Sequence, residues 1–424
     1  MARKPEETVE VLRVHLHGVT MGYLIGYQHG RNIFVFDDDY AASSERPTFT
    51  LTTHPEHPSA KKMLANPWIT EQQLHPVFSN LLPEGALREW FAQMLKVHIN
   101  TEFPLFHHLI NDLPGAMMAE GMKPEEIPEG LLDHRTNVKP VPTATGRDGI
   151  HFSLAGVQMK FSMHQRDGRY ITSQPGQLGE WIVKTPSTVH NDVPLNEYTA
   201  MQLAGLVGID IPEIRLVKVS ELSDLPDIKL PDEEFAYAIR RFDRGTKQER
   251  IHTEDFAQVL FKYAHDKYRS SNYERIGRIL YQYTGNSLAN TQQLARRILV
   301  NVLLANGDAH LKNWTLIYPD TITAELAPAY DIVTTKAYIK GEKEFALNLN
   351  GTRNWYEVTM NHFEAWSNSV GAPWRAIKAQ LNDTLDKART QWPKVLTDSP
   401  MLDAHKQILR IHWKNLQPDF RIAT

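Results

Sequence analysis

The chain has 424 residues, room for two to three compact domains at about 150 residues each, and every one of them can bury a sizeable core. Hydrophobic residues at 42%, charged residues at 23% and aromatics at 9% exclude wholesale disorder, collagen and coiled-coil classes. A net charge of −4 gives no global attraction to polyanions, and the absence of cysteine excludes disulfides, thiolate metal sites and a cysteine nucleophile. The charged opening Met1-Ala2-Arg3-Lys4-Pro5-Glu6-Glu7 lacks the apolar core of a signal peptide. The most apolar stretch, 298–305, is about half of what a membrane span needs. A soluble, cytoplasmic protein with no membrane association is expected.

The pattern begins with strands. Residues 9–14, 23–27 and 32–36 alternate around Gly18, Gly22 and Gly30, which predicts a small antiparallel meander, with His15 and His17 facing solvent. From 69 to 110 apolar residues recur at helical intervals, interrupted at Leu81-Leu82-Pro83-Glu84-Gly85. Residues 121–149, with Pro124, Pro128, Pro140 and Pro142, read as a linker or surface loop. Short β-type runs follow at 150–164, 170–172 and 181–184, then an amphipathic helix over 194–206 with an acidic first turn, and strands at 211–219 and 235–242. The acidic stretch 220–234 reads as an exposed loop. Helical periodicity then dominates over 255–265, 273–284, 291–305, two stretches within 361–392, and 402–416. The tail 374–424 carries nine Lys/Arg against five Asp, which reads as a solvated helical face, and the nine tryptophans read mostly as core or interface anchors. The domains expected are 1–125, 126–240 and 241–424, in an α+β arrangement.

The strongest chemical signal is Asn306-Gly307-Asp308-Ala309-His310-Leu311-Lys312-Asn313, between an apolar helix and the strand 314–318. Asp308 and Asn313 stand in the order Asp-x-x-x-x-Asn of a kinase catalytic loop, where the aspartate takes the acceptor hydroxyl proton and the asparagine holds magnesium. A hairpin at Pro319-Asp320 leads to Leu326-Ala327-Pro328-Ala329-Tyr330-Asp331 and returns a second carboxylate to the loop. Two carboxylates and an amide suit a hard cation completed by phosphate oxygens of ATP. Taken alone, Asn306-Gly307-Asp308 is a helix C-cap and turn; the second aspartate and an upstream constellation give it more. His310 reads first as a structural hydrogen-bonding residue, and it stays among the nucleotide-contacting candidates.

Upstream, Ser153-Leu154-Ala155-Gly156-Val157-Gln158-Met159-Lys160 forms a small-residue turn whose backbone N–H groups can approach phosphates. Lys184 ends the strand Trp181-Ile182-Val183-Lys184, where a kinase places the cation for the α- and β-phosphates, and Glu197 opens the next helix as its candidate partner. The plainer readings are a solvated lysine and an acid favouring the helix dipole.

These residues resemble the HipA-like serine/threonine kinases, toxins of HipA–HipB toxin–antitoxin modules. The resemblance runs nearly end to end through eight blocks in order: Phe78-Ser79-Asn80-Leu81-Leu82-Pro83-Glu84-Gly85, 153–160, 182–186, Asn196-Glu197, Arg241-Phe242-Asp243-Arg244, 252–258, 306–313 and Tyr330-Asp331-Ile332. It implies a bilobed protein-kinase-like fold with an additional N-terminal β-meander/helical subdomain and a mainly helical C-terminal lobe, ATP and Mg2+ as cofactors, and a protein substrate, with aminoacyl-tRNA synthetases as the direction. It makes Asp308 the catalytic base, Asn313 and Asp331 the metal ligands, Lys184 the phosphate lysine and Glu197 its support. Ala155, Gly156, Val157, Gln158 and Lys160 belong to the glycine-rich loop, and the backbone of Ala238, Ile239 and Arg240 to the adenine hinge. Ser153 aligns with the family's autophosphorylated serine; the second serine of some relatives is Ala155 here, which puts double phosphorylation in doubt. The resemblance also implies a HipB-like DNA-binding antitoxin, with DNA reached mainly through it. The competing readings are a small-molecule phosphotransferase and an inactive regulatory protein that keeps the fold.

Overall fold

The computed structural model describes residues 7–110, 113–132, 138–142, 159–166, 168–172, 178–225, 229–246 and 249–423. Alternation in the first strand, β1 (Glu7–Leu16), covers two faces at once: Val9 and Val11 pack with Ile25, Tyr27 and Met122, while Leu12, Val14 and Leu16 face Phe34, Phe36, Phe78 and Phe106. With β2 (Val19–Tyr27) and β3 (Arg31–Phe36) it makes the expected meander. Helices α1 (Asp38–Ala42) and α2 (Ala60–Ala65) follow, and β4 (Trp68–Glu71) pairs with β3. Here the structure departs from the helical pattern expected from residue 69, because Trp68 is buried against Phe36 and Phe49 and the ladder to β3 takes up the backbone. Helices α3 (Pro76–Ser79), α4 (Gly85–Leu95) and α5 (Glu102–Leu109) cover one face, and the chain breaks at Pro83 as predicted. β5 (Met117–Gly121) pairs with the second half of β1. The stretch read as a linker contributes β6 (Val138–Pro140), parallel to the first half of β1.

A second sheet of β7 (Lys160–Arg166), β8 (Arg169–Thr172), β9 (Trp181–Lys184), β10 (Ile214–Lys218), β11 (Leu222–Ser223) and β12 (Phe235–Arg240) has the order β10-β12-β9-β7-β8-β11. β11 lies inside the segment expected to be loop. Helix α6 (Val193–Leu206) packs against β10 and β12 of this sheet and buries Ala200, Met201, Leu203 and Ala204. The expected acidic first turn is not there: Glu197 falls beyond it and is buried.

The remainder is mainly helical: β13 (His252–Asp255), α7 (Phe256–Val259), α8 (Tyr273–Tyr283), α9 (Ser287–Leu303), β14 (Thr315–Tyr318), β15 (Glu325–Leu326), β16 (Glu344–Leu349), β17 (Thr352–Asn354), α10 (Met360–Val370), α11 (Trp374–Asp398) and α12 (Asp403–Asn415). α7 is one turn, not the helix over 255–265 that periodicity predicts. Phe261 turns left-handed at φ 52° and sets its ring against His75 and Trp68 of the first subdomain. α9 is buried over most of its length and organises the lobe; the Trp413 indole donates to the Leu303 carbonyl at 2.8 Å, and the Trp392 indole ties α11 to Leu203 of α6 at 2.9 Å. Among the described residues no helix is long and apolar enough to cross a membrane.

The first subdomain is docked by hydrogen bonds as well as by rings. The Thr50 hydroxyl and the Leu51 N–H each donate to buried Glu254 at 2.7 Å, Gln258 donates to the Val77 carbonyl at 2.7 Å, and Asn80 to the Lys262 carbonyl at 2.8 Å.

Candidate active site

Lys184 ends β9, flanked by β7 and β12, so its side chain leaves the sheet at the cleft. It is only 4% exposed. Its ammonium donates to Glu197 Oε1 and to Asp331 Oδ1, and the Tyr237 ring lies 5.6 Å from Nζ. Lys160, paired with Lys184 across the β7–β9 ladder, donates to Asp331 Oδ2 at 3.3 Å. Burial works against every charge here, and the ion pairs decide the outcome. Asp331 and Glu197 outweigh burial and raise the Lys184 pKa, while Lys160 and Lys184 hold the Asp331 carboxyl well below the usual range. For Glu197 burial dominates over Lys184 and the carboxyl is pushed up.

Two loops bring the remaining groups. After α9, Ala305 turns left-handed at φ 51°, and Asn306 locks the loop by donating to Asn301 Oδ1 at 2.9 Å while accepting the Asp308 N–H at 3.1 Å. The Gly307 N–H donates to Thr335 Oγ1 at 2.7 Å; a Cβ at Gly307 would lie 2.2 Å from Glu342 Oε1 and 2.9 Å from the Glu344 carbonyl, so only glycine fits. Asp308 stands exposed at the tip, and the Asn313 amide donates to its carbonyl at 3.0 Å. The Tyr330 hydroxyl joins this loop to the next by donating to the Lys312 carbonyl at 2.6 Å. Asp331 itself is left-handed, φ 55°, a conformation costing about 1–2 kcal/mol in a non-glycine residue and typical of functional loops.

A cavity of about 450 Å³ opens between the lobes. Lys160, Lys184, Asp331, Ile239, Arg240 and Lys312 line it together with Ile182, Ser162 and Tyr330. Of the expected hinge, Ala238 is fully buried in β12, whereas Ile239 and Arg240 reach the cavity wall. The first subdomain supplies Asn80, Leu81 and Pro114 to the same wall. Glu84 binds Lys312 at 2.8 Å and Lys267 at 2.7 Å, and these two cations overcome burial to hold its carboxyl down at about 2. Ser153, Ala155, Gly156, Val157 and Gln158 lie outside the described residues.

His310 is buried beneath the loop, where desolvation lowers its pKa to about 4; its ring packs edge-on against Tyr268 and is not among the cavity-lining groups. Sequence reasoning missed Tyr268, whose hydroxyl donates to Asp308 Oδ1, and the bridging role of Glu84. Glu84 stood in a quoted motif without a role; nothing near Tyr268 signalled it. The residues present fit magnesium: Asn313 uses its amide nitrogen on the Asp308 carbonyl, leaving Oδ1 for a cation, and Asp331 brings an ionised carboxylate, an all-oxygen pair.

The family described as HipA-like C-terminal domain matches residues 152–392, and that described as HipA N-terminal domain matches residues 12–120. The chain belongs to the HipA-like family. Among the relatives, the protein named "Putative kinase Y4dM" of Sinorhizobium fredii is 36% identical over 396 residues, covering 93% of this chain and 94% of that protein. The serine/threonine-protein kinase toxin HipA of Shewanella oneidensis is 21% identical over 379 residues, covering 81% and 82%. A solved structure of the Shewanella HipA with HipB and operator DNA superposes with a TM-score of 0.70 at 20% identity, over 96% of this chain and 97% of that one. The HipA-type, bilobed kinase-like α+β fold expected from sequence is thus the fold present.

Proposed function

We propose that this HipA-like protein is an ATP- and Mg2+-dependent serine/threonine protein kinase and the toxin of a toxin–antitoxin pair. The observation that carries the reading is the buried Lys184 held between Glu197 and Asp331, with Asp308 and Asn313 on the adjoining loop. Lysine paired to a helix glutamate, a catalytic aspartate and an Asn/Asp metal pair are the working parts of phosphoryl transfer. In this reading Lys184 and Lys160 turn from Asp331 to the nucleotide phosphates, and Asp308 takes the proton of the acceptor hydroxyl. Asn313 Oδ1 and Asp331 would hold magnesium, which when bound would supply positive charge against the nucleotide phosphates. Ile239 and Arg240 flank the base.

The protein substrate, in the direction of the translation machinery, and a HipB-like antitoxin that carries DNA recognition belong to the same proposal; the Shewanella relative is solved with HipB and operator DNA. Ser153 is the autophosphorylation site proposed as an off-switch. A phosphate adds about −1.5 to −2 charge where the ATP phosphates must sit, and like charges repel.

The test is intact mass and peptide mapping after incubation with Mg2+ and ATP, beside Asp308→Asn. A phosphate at Ser153 on the wild type and none on the variant is expected. No phosphate on either, with ATP still bound, overturns the protein-kinase reading in favour of a small-molecule phosphotransferase or an inactive regulator.

A further inference from the structure

We propose that the acceptor docks in a second hollow beside Asp308, and that the Tyr268 hydroxyl holds the acceptor's place on the catalytic base until it arrives. The proposal rests on the kinase reading above and adds to it the acceptor's site, its gate and its charge.

The hollow, about 430 Å³, has Tyr268, Arg269, Gly307, Glu342, Lys343, Glu344 and Arg353 among its lining residues. It shares no lining residue with the nucleotide cleft. Its volume lies within the range of about 300–1,000 Å³ typical of ligand sites. Gly307, the residue before the base, is part of its wall, so whatever lies there is next to Asp308.

Tyr268 stands between the two. The residue is 44% exposed, yet its hydroxyl donates to Asp308 Oδ1. The ring leans edge-on against His310 with centroids 5.0 Å apart, and Lys267 Nζ lies 5.6 Å from the ring. Burial and Asp308 raise the phenol's pKa, so it remains a neutral O–H donor at physiological pH. A serine or threonine hydroxyl must offer the same O–H to the same carboxylate. For transfer to proceed, the acceptor oxygen bonds to the γ-phosphorus as the bond to the β–γ bridging oxygen breaks, ADP departs, and the acceptor proton passes to Asp308. The phenol has to yield that position first.

The charge of the hollow selects the acceptor. Arg353 is matched by Glu344 at 3.2 Å, and Glu342 accepts the Thr335 hydroxyl at 2.7 Å. Among the described residues Arg269 and Lys343 have no ion pair. The surplus is positive, so the acceptor is a polypeptide segment with carboxylates close to its hydroxyl residue.

The full-length chain is assayed with Mg-ATP on dephosphorylated casein, whose hydroxyls lie among carboxylates, and on myelin basic protein, whose hydroxyls lie among cations. Tyr268→Phe is expected to lower the KM for casein by about threefold and to raise phosphate release without acceptor, the ATP affinity being unchanged. Arg269→Glu with Lys343→Glu is expected to raise the casein KM by about tenfold, again at unchanged ATP affinity. A Tyr268→Phe enzyme with reduced kcat and unaltered KM overturns the gate and makes Tyr268 a positioning residue for the base. A casein KM unchanged by the charge reversal overturns the docking site. Transfer by the wild type no greater than by Asp308→Asn overturns the kinase reading itself, a result distinct from both.

Discussion

Asn196 grips Thr334 with both ends of its amide: Oδ1 accepts the Thr334 N–H at 2.9 Å and Nδ2 donates to the Thr334 carbonyl at 3.3 Å. One residue along, Glu197 binds Lys184; three residues back, Asp331 binds the same lysine. The pair therefore fixes the distance between the helix and the loop that hold the cleft lysine.

Asn196→Ala leaves a buried N–H and a buried carbonyl unpaired, each worth about 1–3 kcal/mol. The expected result is a lower unfolding midpoint in denaturant and a smaller thermal shift on adding Mg-ATP. A variant that unfolds earlier and keeps the full ATP shift would show the clamp to be structural only.

Lys184→Met strands Glu197, itself 1% exposed, beside Asp331 without their shared cation. Removing one partner of a buried pair costs about 3–5 kcal/mol. The double variant Lys184→Met with Glu197→Gln is expected to recover more than half of that loss while still failing to bind ATP. Chemical denaturation of the four proteins in the cycle measures the coupling, and additive losses contradict it.

Gly307→Ala drives a methyl group against Glu342 and the Glu344 carbonyl, so the loop carrying Asp308 has to shift. A misplacement of about 1 Å can cost on the order of 100-fold in rate. Phosphate transfer is expected to fall by about that factor with the ATP affinity retained; steady-state kinetics at saturating ATP decide it.

Glu254 sits where the first subdomain meets the mainly helical lobe, accepting from Thr50, Leu51 and Tyr318. Burial pushes its carboxyl from 4.5 up to about 7. The folded chain then binds this proton more tightly than the unfolded one, so the contribution is complete below about pH 4.5 and is lost as the pH rises through about 7. The span amounts to about 3 kcal/mol. Wild-type melting temperatures are expected to fall between about pH 5 and pH 8 by several degrees, and Glu254→Gln, which keeps the shape and removes the titration, should flatten that slope. Parallel pH profiles for the two proteins would refute the assignment.

Much of the site was legible because its parts are short motifs with fixed chemistry. Asp308 and Asn313 lie five residues apart on one turn, and Lys184 ends a run of four strand residues, so local spacing points to them. Glu197 was legible only as the candidate partner of Lys184, and the helix geometry then removed the competing reading as a first-turn acid. The segments beside Trp68 and around Phe261 misled for the same reason. Local periodicity favoured helix from residue 69 and over 255–265, while the Trp68 ring is buried and the Phe261 ring partly buried against residues distant in sequence, and the backbone follows the ring.

The sequence by itself determined the class of the chain: a strand-rich first part and a mainly helical last part, candidate catalytic and metal residues, and its likeness to HipA-like kinases, because hydrophobic period, turn residues and motif spacing are all local properties. Only the tertiary structure decided how those residues meet. The placement of Lys184 between Glu197 and Asp331, the bridge from Glu84 to Lys267 and Lys312, and the hydroxyl of Tyr268 on Asp308 join segments from about 13 to 230 residues apart. Contacts over such separations depend on how the packed lobes close on one another, and no pattern within a single segment encodes them.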